Sequence, residues 1–314
     1  MSLPHFFALF YPSLQPTPAR TKAPTSQSPH TESRGATGLV GRALVQELQE
    51  HAYQISVLAL SEASVLQLQS QGDGVRVVRG SLDDLATLKA KAAWKDIDGV
   101  IHLAFIHKSD QYAQSSEVDA KAIAALGDGL REVASESEGR RNAKALVASS
   151  AVAVDAQGSD GVAREADAPL DVFRVEAKQL LWRRQCLAPT VHCDDDKAFV
   201  RILNNSTLTH WKAVYVYLIT WSAVHPRDFA SLYRLAFEAA RKGKSIVYHG
   251  VDECRVPFKS IAETIARKTD SNTQLFSPHQ CLPVHRLVDS FRTPCLNPHT
   301  AIGLAKSSAG TPHK

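Results

Sequence analysis

The chain has 314 residues, 44% hydrophobic and 22% charged, a globular composition with room for one large α/β domain and an appended lobe, or for two modest domains. Its 36 basic and 32 acidic residues leave a formal charge of +4 spread along the length, which gives no reason to expect nucleic acid as a partner. No apolar run reaches the roughly 20 residues of a spanning helix, so no membrane partner is expected either. Five scattered cysteines, an odd number, suit a reduced intracellular protein, and the expected location is cytoplasmic.

Residues 1–34 stand apart and read as a disordered leader. They are rich in Ser, Thr and Pro, with Arg20, Lys22 and Arg34 against the single acid Glu32. An acid-poor, hydroxyl-rich start resembles a mitochondrial transit peptide, but five prolines before residue 25 would break the amphipathic helix such a peptide needs. From residue 35 the pattern becomes α/β. Leu39, Val40, Leu44, Val45 and Leu48 predict a helix over 39–48, and the apolar run Ile55–Leu60 predicts a buried strand. A helix over 63–71, a strand over 75–78, a helix over 82–93 and a strand over 98–104 follow. A long helix over 118–133 and a strand over 143–148 complete the alternation. Such alternation predicts a doubly wound parallel sheet of the Rossmann type, with ligands beyond the carboxyl ends of the strands. Beyond 150 the signal is sparser: helices over 173–184, 228–242 and 258–268, and strands over 214–219 and 246–249. The reading divides the chain into a leader (1–34), a dinucleotide-binding domain (35–185), a substrate-side lobe (186–268) and an irregular tail (269–314).

The sharpest motif is Gly35-Ala36-Thr37-Gly38-Leu39-Val40-Gly41, running straight into the first helix. Glycines three apart at a helix start let the backbone approach a pyrophosphate and aim free N–H groups and the helix dipole at it. A structural turn is the competing reading of the same spacing. The loop resembles the GxxGxxG loop of extended and atypical short-chain dehydrogenases/reductases, the NAD-dependent epimerase/dehydratase family. Three further stretches agree with it: Gly80-Ser81-Leu82-Asp83-Asp84, Gly99-Val100-Ile101-His102-Leu103-Ala104 and Val147-Ala148-Ser149-Ser150. The resemblance implies Leu82 and Asp83 near the adenine, Ala104 in the cofactor groove, and Ser149 or Ser150 in the catalytic group. It also implies Pro189, in the segment 187–192, beside the nicotinamide. Read bottom-up, Asp83 is also a natural helix cap and the serine pair a natural turn.

Four departures stand out. Residues 28–34 contain no apolar residue and cannot form the central strand that should precede the loop, while Phe6–Phe10 lies some 25 residues upstream, too far for an ordinary connection. At the end of the second strand, where an acid would take a ribose hydroxyl and an arginine a 2′-phosphate, Leu60 and Ser61 stand, with Glu62 slightly late. The cofactor is accordingly NADP or NAD, the lean toward NADP coming from the resemblance. The family's Tyr-x-x-x-Lys aligns with Arg174-Val175-Glu176-Ala177-Lys178, so that Lys178 matches but an always-charged arginine replaces the tyrosine. Finally, residues 182–186 look too few and too polar for the strand expected before Leu187, as though segments were missing from the pattern.

Other donor-rich stretches carry less. Cys281, His285, Cys295 and His299 have unusual spacing for zinc and proline-constrained loops, and no metal is expected. His225 reads as a structural histidine that is also placed to touch a substrate. The expectation is an NAD(P)-dependent oxidoreductase or epimerase-like enzyme for a small carbonyl or hydroxyl substrate. The rivals are a dinucleotide sensor without catalysis and a degenerate family member without activity. Neither substrate nor oligomeric state is legible.

Overall fold

In a computed structural model of the protein, the residues described are 5–9, 38–69, 75–106, 112–135, 144–149, 162–163, 184–189, 199–216, 220–244, 246–276 and 295–296. The chain divides into two compact units. The first comprises residues 1–149, 179–185 and 230–246, and the second comprises 150–178, 186–229 and 247–314.

In the first unit the elements run β1 (His5–Leu9), α1 (Leu39–Glu50), β2 (Gln54–Ala59), α2 (Glu62–Gln69), β3 (Val75–Arg79), α3 (Leu85–Ala92), β4 (Gly99–His102), α4 (Tyr112–Ser135) and β5 (Ala145–Ser149). Every pair among these strands is parallel, in the order β5-β4-β1-β2-β3. After the short strand β6 (Val162–Ala163) comes β7 (Arg184–Pro189). That strand and β10 (Ile246–Gly250), whose first residues also belong to this unit, extend the order to β10-β7-β5-β4-β1-β2-β3. Strand order reverses direction between β1 and β4, the switch point where doubly wound sheets leave a crevice.

The sheet is covered on both faces, as near-continuous apolar strands require. One face buries Leu58, Val78, Val100 and Leu146 against Leu88 of α3 and Ala122, Leu126 and Leu130 of α4. The alternate strand residues Ile55, Val57, Ile101 and Val147 are also fully buried. On their side lie α1, with its buried stripe Leu44, Val45 and Leu48, and α6 (Pro226–Arg241), whose Phe237 stands against Gly99. A polar cluster ties α6 to α1: Arg234 Nε donates to Glu47 at 2.8 Å and its Nη1 to Glu238 at 2.7 Å, and Tyr53 donates to Glu238 at 3.0 Å.

The second unit contains α5 (Phe199–His210), β8 (Lys212–Val216), β9 (Thr220–Ala223), β11 (Glu253–Pro257), α7 (Phe258–Thr269), β12 (Asn272–Phe276) and β13 (Cys295–Leu296). Its pairs are short: β8 with β12 and β6 with β13 in parallel, β9 with β11 antiparallel. Leu203 of α5, Ala213 of β8 and Phe258, Ala262, Ile265 and Ala266 of α7 form its core.

Two expectations are corrected. The first strand is present: His5–Leu9, inside the stretch read as a leader, pairs with β2 on one side and β4 on the other. Loop-closure entropy grows only logarithmically, so lengthening a five-residue connection to about 30 costs only about 1–2 kcal/mol. Supplying both inner strands with a hydrogen-bonded partner outweighs that. The strand before Leu187 is also present, because Arg184-Gln185-Cys186 and Leu187-Ala188-Pro189 are one continuous strand, β7. The helix expected over 173–184 otherwise lies outside the described residues, and Arg184 begins the strand.

Candidate functional site

Parallel pairing puts the carboxyl ends of β2, β3, β4 and β5 on one edge of the sheet. Helix α1 enters β2 through residues 51–53, so its own N-terminus lies at that same edge. There Gly38 is the N-cap, with φ −75° and ψ 173°, an extended conformation open to any residue. What glycine supplies at this point is the lack of a side chain. Among the described residues no side chain caps the helix, and no acid lies in its first turn, an arrangement that suits the leading amides and the positive end of the dipole to an external anion. Gly41 is buried and Leu39 and Val40 are partly exposed, while Gly35, Ala36 and Thr37 lie outside the described residues. This uncapped, acid-free terminus fits a dinucleotide's pyrophosphate.

At the end of β2, Ser61 caps α2: its hydroxyl lies 2.7 Å from that of Ser64 and accepts from the Ser64 amide at 3.3 Å. The carboxylate of Glu62 meets the guanidinium of Arg79, which ends β3, and both side chains are largely exposed. Beyond β3, Leu82 is fully buried in the core, so its side chain packs the fold. Asp83 is exposed, and the cap of α3 belongs to its neighbour Asp84, whose carboxylate accepts from the Thr87 amide at 3.0 Å. That bond holds the Asp84 carboxyl below its ordinary range. Ala104, two residues past β4, is buried against the same core.

The ends of β4 and β5 carry an arrangement that the sequence did not suggest. Ser149 donates its hydroxyl proton to the main-chain carbonyl of His102 at 3.1 Å. Its single proton being used, it accepts from the phenol of Tyr233, a fully buried residue of α6. The His102 ring, 1% exposed, lies with Nε2 2.6 Å from Asp119 of α4, and its buried Nδ1 has no hydrogen-bond partner among the described residues. Serine, histidine and aspartate therefore meet here without forming a nucleophilic triad, because the serine reaches the histidine's backbone and not its imidazole.

Ser150, Arg174 and Lys178 lie outside the described residues, and Pro189 is the last residue of β7, where a missing N–H costs the ladder least. The exposed ring of His225 accepts from the Arg227 amide at 3.3 Å and caps α6. Cys281, His285 and His299 lie outside the described residues, and among the residues described no cluster of metal-ligating side chains occurs. Nor is any described helix long and apolar enough to cross a membrane. The role of Tyr233 was partly visible, since Phe229, Tyr233, Phe237 and Ala240 form a helical stripe. Its hydroxyl's partner was not, being 84 residues away.

The family model for the NAD dependent epimerase/dehydratase family matches residues 34–174. An uncharacterized protein of Saccharomyces cerevisiae is 33% identical over 235 residues, covering 74% of this chain and 77% of its own length. Among solved structures, the Bordetella bronchiseptica enzyme WbmH in complex with NAD+ superposes with a TM-score of 0.65 at 12% identity, over 96% of this chain and 91% of that one. DesIV, the dTDP-glucose 4,6-dehydratase of Streptomyces venezuelae with NAD and TYD bound, gives 0.61 at 12% identity, over 87% and 84%. At such identities the structures speak for the fold alone. With the matching glycine loop and strand order, the chain belongs to the NAD-dependent epimerase/dehydratase family.

Proposed function

We propose that the protein is an NAD(P)-dependent oxidoreductase or epimerase-like enzyme of the short-chain dehydrogenase/reductase kind, acting on a small carbonyl or hydroxyl substrate. The observation that carries this reading is the uncapped, acid-free N-terminus of α1, which Gly38 opens at the carboxyl edge of a parallel sheet. The residues 35–41 would hold the pyrophosphate, with Asp83 and Ala104 along the adenine side and Pro189 toward the nicotinamide. The dinucleotide supplies the hydride chemistry, and the chain binds and orients the two reactants. Ser149 keeps the ends of β4 and β5 in register through the His102 carbonyl, and in this reading Ser149 and Ser150 remain the candidate hydroxyls for the catalytic group. Lys178 would supply positive charge near that oxygen.

A second reading, a dinucleotide-binding sensor without catalysis, is favoured by one feature. Arg174 stands where a titrating tyrosine is expected and cannot deliver a proton near neutral pH. Titrating the purified protein with NADH and NADPH, following nicotinamide fluorescence and thermal shift together, tests the shared part of both readings. Micromolar binding is expected, abolished in Gly38→Asp while that variant stays folded, because the new carboxylate would occupy the anion's place. Binding that survives in Gly38→Asp would remove the glycine loop from the site. Oxidation of bound NADH by simple aldehydes and ketones then separates enzyme from sensor.

A further inference from the structure

On α6, Phe229, Tyr233 and Phe237 follow one another along one stripe, and all three are fully buried. A phenylalanine at the middle position would fill the same space, whereas the phenol oxygen adds a polar atom that burial penalises unless it is paired. That oxygen meets Ser149 at the carboxyl end of β5, a residue still partly open to solvent. Ser149 in turn donates to the His102 carbonyl at the end of β4, at 3.1 Å. The His102 ring is anchored on α4, with Nε2 2.6 Å from Asp119, which holds the accepting residue in place. A chain of hydroxyls thus runs from inside the fold to the strand ends beside the switch point.

We propose that Tyr233 is a positioning residue that presents Ser149 as a hydrogen-bond donor to the substrate oxygen. This rests on the enzyme reading above and not on dinucleotide binding alone. A serine hydroxyl has one proton and two lone pairs. Tyr233 fills one lone pair from the buried side, which leaves two directions for the proton, one to the His102 carbonyl and one for a substrate. At 3.1 Å the bond to that carbonyl is longer than the roughly 2.8 Å usual for a hydroxyl donor, so the proton turns readily to a better acceptor. A carbonyl oxygen that gains negative charge as hydride reaches its carbon is such an acceptor. Donation from Tyr233 also polarises the Ser149 O–H bond and strengthens it as a donor. Both O–H bonds stay intact in this role. Ser149 touches the reacting oxygen, and Tyr233 acts only through Ser149.

The test follows reduction of simple aldehydes and ketones with NADH or NADPH by the full chain, Tyr233→Phe, Ser149→Ala and the double variant. For each, kcat, KM, the cofactor dissociation constant and the unfolding midpoint are measured. Ser149→Ala should lower kcat about 100-fold, as loss of one donor to a developing oxyanion does. Tyr233→Phe should lower kcat about tenfold with KM and cofactor affinity unchanged, because its hydroxyl matters only as charge develops. In the Ser149→Ala background the same change should leave kcat where it is. A wild-type kcat in Tyr233→Phe, or an equal loss in the Ser149→Ala background, overturns the proposal and leaves the enzyme reading in place. So does a kcat that falls only together with cofactor affinity and the unfolding midpoint, which would make the phenol a packing group. A folded wild type that binds a dinucleotide but reduces no carbonyl overturns both and favours the sensor.

Discussion

Single residues at this edge show how burial decides the role of a polar group. Ser149 and Tyr233 each have one proton to give, and both are used, one toward the His102 carbonyl and the other toward Ser149. Tyr53 shows the same effect through its acidity. Burial, then the charge and hydrogen bond of Glu238, push its phenol from 10.0 up to about 12. The folded state thus favours the protonated form, and the stability this contributes is complete below the unfolded value near 10. It is lost as pH rises through 12. Unfolding midpoints of wild type and Tyr53→Phe should therefore converge over this window, the wild type losing more per pH unit. Parallel alkaline limbs would show that Tyr53 does not titrate abnormally.

Helices and strands differ in how plainly their residues announced them. The stripe of Leu44, Val45 and Leu48 in α1 and the near-continuous apolar runs of β2 and β4 follow from periodicity, since each element buries a face or is buried on both. Helix α5 carries no such signature in its sequence, because Asn204, Asn205, Ser206, Thr207 and Thr209 are poor helix formers. Packing of Leu203 with Ala213, Phe258 and Ile265 overrides that preference. Contact between α3 and α4 depends on a smaller feature, Gly129. A Cβ there would run into the Lys89 carbonyl and come within 2.8 Å of the Ala92 methyl. Backbone cannot yield as a flexible side chain does, so Gly129→Ala should cost roughly 2 kcal/mol or more, read as a lower urea midpoint at unchanged slope. A midpoint equal to the wild type would mean that the helices separate freely.

At the scale of the whole molecule, the central strand is the decisive element. Without β1, strands β2 and β4 would each present an unpaired edge in the middle of the sheet. Removing residues 1–9 should abolish cooperative unfolding, and Phe7→Pro, which deletes one ladder donor from a central strand, should lower the unfolding midpoint. A truncated chain with the wild-type midpoint would show that β1 is dispensable. The strand order, the switch point beside β1 and the family membership then stand together, since the crevice exists only if β1 lies between β2 and β4.

By itself the sequence determined the α/β class, the glycine loop at a helix start, the parallel strands from β2 to β5 and the family resemblance. These are written in local periods and contiguous motifs, which survive reading one window at a time. Only the tertiary structure decided where the central strand comes from, that Arg184–Pro189 is one strand, and that Asp84 rather than Asp83 caps α3. It also decided the pairing of Glu62 with Arg79 and of Ser149 with Tyr233. The last two pairings join residues 17 and 84 apart in the chain, and no local pattern encodes which distant partner a charge or a hydroxyl will meet.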